Sequence, residues 1–142
     1  MNKTIKKINI GVIGVGHLGE HHVKHLKSID SFKLIGIHDI NEKRAKSIGT
    51  KYGIPLYNNI NELIEACDSI SLVTPTETHF DIAYHCIKAK KHIFIEKPIA
   101  KSVNDAEKLI KLGNDKNVII QVGHIERFNP ALIPLNNYTL KP

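Results

Sequence analysis

Along the chain, short runs that are apolar on both faces alternate with longer stretches whose apolar residues recur every three or four positions. The runs INIGVIG, KLIGIHD, IPLY, SISLVTP, HIFIEKP and VIIQVGH predict six strands. Most are rich in β-branched residues, which suits strands buried between two helix layers in a parallel sheet. The stretches between them place Leu18, His22, Leu26 and Ile29, then Ala45, Ile48 and Tyr52, then Phe80, Ala83 and Ile87, then Ala106, Leu109 and Ile110, on single helix faces. Asn41 and Ser102 stand as N-caps at two predicted helix starts, and Gly53 and Gly113 at two predicted ends. A repeated βα unit with right-handed crossovers gives a doubly wound, mainly parallel α/β sheet with helices on both faces.

A length of 142 residues is that of one domain with one core. No apolar run approaches the roughly 18 residues of a membrane span, so a membrane partner is not expected. The start, MNKTIKKINIGVIG, carries polar Asn9 and leads into a glycine loop without a small-residue cleavage site; it reads as a first strand, not a leader. Cys67 and Cys86 lack CxxC spacing and point to a reducing compartment, the cytoplasm by default. The net charge of +6 comes from lysines dispersed over KTIKK, NEKRAK and KAKKH without interleaved aromatics, which argues for solvated helix faces and against nucleic acid. Among nine histidines, His21 and His25 are spaced to share a metal, but no third ligand follows at a suitable spacing and no metal is expected. The final stretch, RFNPALIPLNNYTLKP, breaks the βα rhythm.

Candidate chemistry begins at GVIGVGHLGEHH, where Gly14, Gly16 and Gly19 follow the first strand and open a helix. In a nucleotide-binding βαβ unit the first glycine permits the tight turn, the second lets backbone approach a diphosphate, and the third lets helix and strand pack closely. A helix beginning near His17 and Leu18 would aim its free N–H groups at the phosphates. Asp39 closes the next strand 20 residues after Gly19, where a carboxylate can accept both ribose hydroxyls. Its charge favours NAD over NADP, a preference that Lys43 and Arg44 soften. The competing reading is a tight turn with an unrelated strand-ending acid.

Three further motifs stand at later strand ends: VTPTETH from Val73, IEKP from Ile95, and VGHIERFNPA from Val122. Together with GVIGVGHLG they resemble the N-terminal domain of the Gfo/Idh/MocA oxidoreductases, which oxidise or reduce sugars and cyclitols with a nicotinamide cofactor. The resemblance covers essentially the whole chain and implies a Rossmann fold over residues 1–122, with 123–142 an exit segment toward a second domain. It implies that Thr74, Pro75 and His79 border the cofactor cleft, that Glu96 and Lys97 face nicotinamide and sugar, and that Lys97 is the catalytic lysine. An ordinary lysine titrates near ~10.4, so such a base needs desolvation and a neighbouring positive charge. Each assignment has a plainer rival: a solvated lysine at a strand end, a strand-to-helix turn at Thr74 and Pro75, and a helix-start histidine without ligand contact at His79. Pro98 suits a sharp turn, a cis bond included.

In form GHIERFNPA looks like the subset acting on nucleotide-linked amino sugars, such as UDP-N-acetylglucosamine 3-dehydrogenases. His124, Arg127 and Asn129 would then border the substrate side, with Arg127 pairing a phosphate or carboxylate or, alternatively, tying the exit loop to the sheet. The family places a second α+β domain after this half, carrying the substrate wall, an Asp-x-x-x-His motif and usually the oligomer interface; none of these is expected within this chain. Two functions remain open on sequence alone: the cofactor half of a sugar or nucleotide-sugar dehydrogenase, and a non-catalytic nucleotide-binding or regulatory module.

Overall fold

The structure, a computed structural model, describes residues 6–137. Five strands form one parallel sheet: β1 (Ile8–Ile13), β2 (Phe32–His38), β3 (Ser69–Leu72), β4 (His92–Ile95) and β5 (Ile120–Val122), in the order β2-β1-β3-β4-β5. Five α-helices connect them: α1 (His17–Ser28), α2 (Glu42–Tyr52), α3 (Ile60–Ala66), α4 (His79–Lys88) and α5 (Val103–Lys116).

Alternation along the strands sends neighbouring residues to opposite faces, and each face has its own core. Val12 packs with Val23 of α1, Ile37, and Ala45 and Ile48 of α2. Ile13 packs on the other face with Leu63 of α3, Ile70, Leu72, Ile87 of α4 and Leu109 of α5. The sheet is thus doubly wound. The chain leaves β1 toward β2 on one side and returns to β3 on the other, so a crevice opens beyond the carboxyl ends of β1 and β3, where such sheets bind ligands.

Two expectations are corrected. IPLY does not form a strand: it contributes one parallel bridge, Leu56 to Ile37, flanked by hydrogen bonds from Ile37 N–H to the Pro55 carbonyl and from Tyr57 N–H to the Ile37 carbonyl. Pro55 has no N–H to extend a ladder, and the piece stays an edge contact beside β2. Gly113 does not end its helix. It lies inside α5, where a Cβ would come within 2.7 Å of the Ile120 side chain, and the left-handed terminus is Asn117, φ 55°. The other signals act as read: Asn41 accepts from Arg44 N–H, Ser102 accepts from Asp105 N–H, and Gly53 closes α2 with φ 63°.

Candidate functional site

The loop from Gly14 to Gly19 is built by close backbone approaches. Gly14 has φ 86°, and its N–H donates to the His38 carbonyl at 2.8 Å, fastening the loop to the end of β2. A Cβ there would lie 2.5 Å from the Val73 carbonyl oxygen. At Gly19 a Cβ would lie 2.0 Å from the Gly14 carbonyl oxygen, so only glycine lets α1 rest against the turn. Gly16 differs: a Cβ would meet only the Arg44 guanidinium, at 3.6 Å, so its backbone faces open space. Gly16 is also the N-cap of α1 and offers no side chain to the first turn. The N–H groups there lack intrahelical partners and carry the positive end of the helix dipole.

This space belongs to a cleft of about 470 Å³ bordered by Gly14, Gly16, His17, Leu18, Gly19, Asp39, Thr74 and Pro75, all anticipated from the sequence. The volume lies within the usual range for small-ligand sites, roughly 300–1,000 Å³. Ile40, Ile60, Thr78 and Ile82 also line it, as does Arg44. Ile40 follows the strand-ending acid and is 95% exposed, an apolar side chain held out over the cleft. A large aliphatic residue directly after such an acid is a signal that sequence reading passed over. Thr78 Oγ1 sits 2.7 Å from Thr74 Oγ1 and fixes the opposite rim.

Asp39 is already engaged. Its Oδ2 accepts the Val15 N–H at 2.8 Å, its Oδ1 accepts the Asn41 N–H at 2.8 Å, and its side chain is only 6% exposed. The Arg44 guanidinium lies 3.6 Å from Oδ2. The carboxylate therefore clamps the glycine loop to the start of α2, and what remains for a ribose is its spare lone pairs.

His79 stands behind the cleft and does not line it. It is 1% exposed, with Nε2 2.8 Å from the Thr74 carbonyl and Nδ1 2.9 Å from the Pro98 carbonyl. Its reach is to the turn that follows β4. There the Lys97–Pro98 bond is cis, Lys97 is exposed, and the Lys97 N–H donates to its neighbour's Glu96 Oε2 at 3.2 Å. Glu96 and Lys97 do not line the cleft either; they sit at the next strand end.

An unanticipated partner joins them. His22, from the second turn of α1, places Nε2 3.1 Å from Glu96 Oε1 and Nδ1 2.9 Å from the Ser71 hydroxyl. Burial, the largest influence, pushes the imidazole below its ordinary range, against the pull of the Glu96 carboxylate. His22 was visible only as an apolar-phase position of α1, because its partner lies 74 residues away.

His124, Arg127 and Asn129 form a separate group on the 3-10 turn at Ile125–Phe128 and its flanks. Asn129 is held by Glu126 at 2.7 Å, whereas the Arg127 guanidinium makes no hydrogen bond or ion pair among the described residues. The described residues contain no cluster of three potential metal ligands and no helix long and apolar enough to cross a membrane.

A glycine turn, an uncapped helix start and a strand-end acid around one cleft at the switch point define a dinucleotide-binding domain of the Rossmann type. The chain belongs to the Gfo/Idh/MocA oxidoreductases: that family's model, an oxidoreductase family with an NAD-binding Rossmann fold, matches residues 8–124. It is 35% identical over 122 residues to the UDP-N-acetylglucosamine 3-dehydrogenase of Acidithiobacillus ferrooxidans, covering 86% of this chain and 38% of that protein. It is 36% identical over 125 residues to the myo-inositol 2-dehydrogenase of Thermotoga maritima, covering 86% of this chain and 37% of the relative. A solved structure of the Acidithiobacillus enzyme superposes with a TM-score of 0.87 at 34% identity, over 92% of this chain and 42% of that one. The chain thus spans less than half the length of these relatives.

Proposed function

We propose that this chain is the cofactor half of a cytoplasmic dehydrogenase that moves hydride between a nicotinamide dinucleotide and a hydroxyl-bearing carbon of a sugar, cyclitol or nucleotide sugar. The observation that carries the reading is the open first turn of α1, where Gly16 leaves backbone N–H groups facing a cleft at the switch point. These are the features an anionic diphosphate requires. Leu18, Ile40 and Ile82 supply apolar cover for an adenine ring, and the spare lone pairs of Asp39 suit a ribose hydroxyl. NAD fits this set; Arg44, half exposed beside Asp39, and nearby Lys43 let NADP compete.

The cofactor, when bound, supplies the hydride acceptor or donor. The protein supplies the proton chemistry. Lys97 stands one strand along from the cleft, on a turn fixed by Glu96 and His79, and in this reading its amine takes the proton of the reacting hydroxyl. The Arg127 guanidinium, without a hydrogen bond or ion pair among the described residues, suits a phosphate of a nucleotide-linked substrate.

The test separates a ligand-facing glycine from a packing glycine. Titrated by fluorescence, the chain should bind NADH saturably. Gly16→Ala should weaken binding by roughly tenfold or more with little change in Tm, because its Cβ has room but covers the phosphate approach. Gly19→Ala should lower Tm, since its Cβ meets backbone at 2.0 Å. Unchanged NADH affinity in Gly16→Ala would remove the phosphate assignment.

A further inference from the structure

A connected set of contacts surrounds the Glu96 carboxylate and His22. α1 brings His22, β3 brings Ser71, Glu96 directly follows β4, and the segment after β5 brings Gly123, where a Cβ would lie 3.0 Å from Glu96 Oε1. A Cβ at residue 123 would sit tight against the carboxylate, which would have to give by a few tenths of an ångström. The Phe94 ring meets the imidazole edge-on at a centroid distance of 5.5 Å and fixes its plane.

The hydrogen-bond roles follow from chemistry. An ionised carboxylate only accepts, so the 3.1 Å contact requires the proton on His22 Nε2, and Nδ1 then accepts the Ser71 hydroxyl proton. With Oε1 occupied, Oε2 is left for the Lys97 N–H at 3.2 Å. A hydrogen-bonded chain links the buried Ser71, His22, Glu96 and the Lys97 backbone, with the Glu96 carboxylate accepting from both sides. It starts within the sheet, passes through the helix whose first turn faces the cleft, and ends at the residue assigned to proton transfer.

We infer that His22 is a positioning residue for Lys97, holding the Glu96 carboxylate so that its second oxygen fixes the Lys97 backbone and aims the lysine from the end of β4. This rests on the reading of Lys97 given above, and it makes α1 do two jobs: its N-terminus faces the dinucleotide and its second turn sets the lysine. His22 lies outside the cleft lining, so the two jobs separate by mutation.

The experiment uses the chain itself, with NMR of the imidazole nitrogens and hydrogen exchange of the Lys97 amide. Long-range nitrogen–proton spectra should show the His22 proton on Nε2. His22→Leu should speed Lys97 amide exchange by roughly tenfold or more, the scale of a hydrogen bond to a charged group. His22→Gln, which offers an N–H near the Nε2 position, should restore protection. Glu96→Ala should match the leucine variant, and the double variant should add nothing further. NADH affinity should stay within about twofold in the His22 single variants. A proton on Nδ1, unchanged Lys97 exchange in His22→Leu, or a glutamine variant as fast as the leucine one overturns the inference. If the wild-type chain fails to bind NADH while the exchange pattern holds, the functional reading fails and the contact chain stands.

Discussion

Asp39 serves the structure directly, and the proposed function asks it to serve a ligand as well. Its two oxygens hold the Val15 and Asn41 N–H groups, so removing it loosens the glycine turn as well as any ribose contact. Asp39→Ala is expected to lower stability by about 1–3 kcal/mol, the cost of orphaning the part-buried Val15 N–H, and to weaken NADH and NADPH together. Thermal unfolding and paired titrations check this; an unchanged Tm with loss of NADH alone would mean that the acid serves only the ribose. The thiols behave differently. Burial pushes Cys67 up to about 11 and Cys86 to about 12, so a thiol reagent at neutral pH should modify neither until the protein unfolds. Residue identity announced Asp39 and the three glycines because their spacing is local. The engagement of Asp39 and the place of His22 were not legible, since both depend on partners 24 and 74 residues distant.

At the scale of elements, termini decide more than interiors. Asn41, Asn59 and Ser102 each cap a helix through the side chain, and Ser102→Ala should cost about 1 kcal/mol in urea unfolding without altering NADH affinity. A change below a few tenths would mean that α5 is set by packing alone. Five strands and four helices were readable because their periodicities are sustained. α3 escaped because it is seven residues long, although Asn59 before Ile60, Leu63 and Ile64 was a usable start signal. IPLY misled because an apolar run says nothing of the N–H that Pro55 lacks. Gly113 looked like a terminator, whereas it makes room for Ile120.

For the whole molecule, the two faces of the sheet give a core that tolerates little loss. Leu63, fully buried between α3 and the sheet, should cost about 2–5 kcal/mol when cut to alanine. Stability also carries a pH signature. His22 faces the Glu96 carboxylate, the Ser71 hydroxyl and the Phe94 ring, with His21 and His25 on its own helix, and burial lowers it from 6.5. The unfolded chain then binds more protons than the folded one just below that value, so this contribution is whole above 6.5 and declines as pH falls. His22→Gln should flatten the decline in Tm over that window; an unaltered slope would place the titration elsewhere.

The central claim is that a dinucleotide lies against the first turn of α1, and amide spectra recorded while NAD is added to the chain test it most directly. Saturable binding is predicted, with the largest shifts at Gly16, His17, Leu18 and Gly19 and a second set at Thr74 and Thr78. Absence of binding, or shifts confined to surfaces away from that loop, would contradict the account.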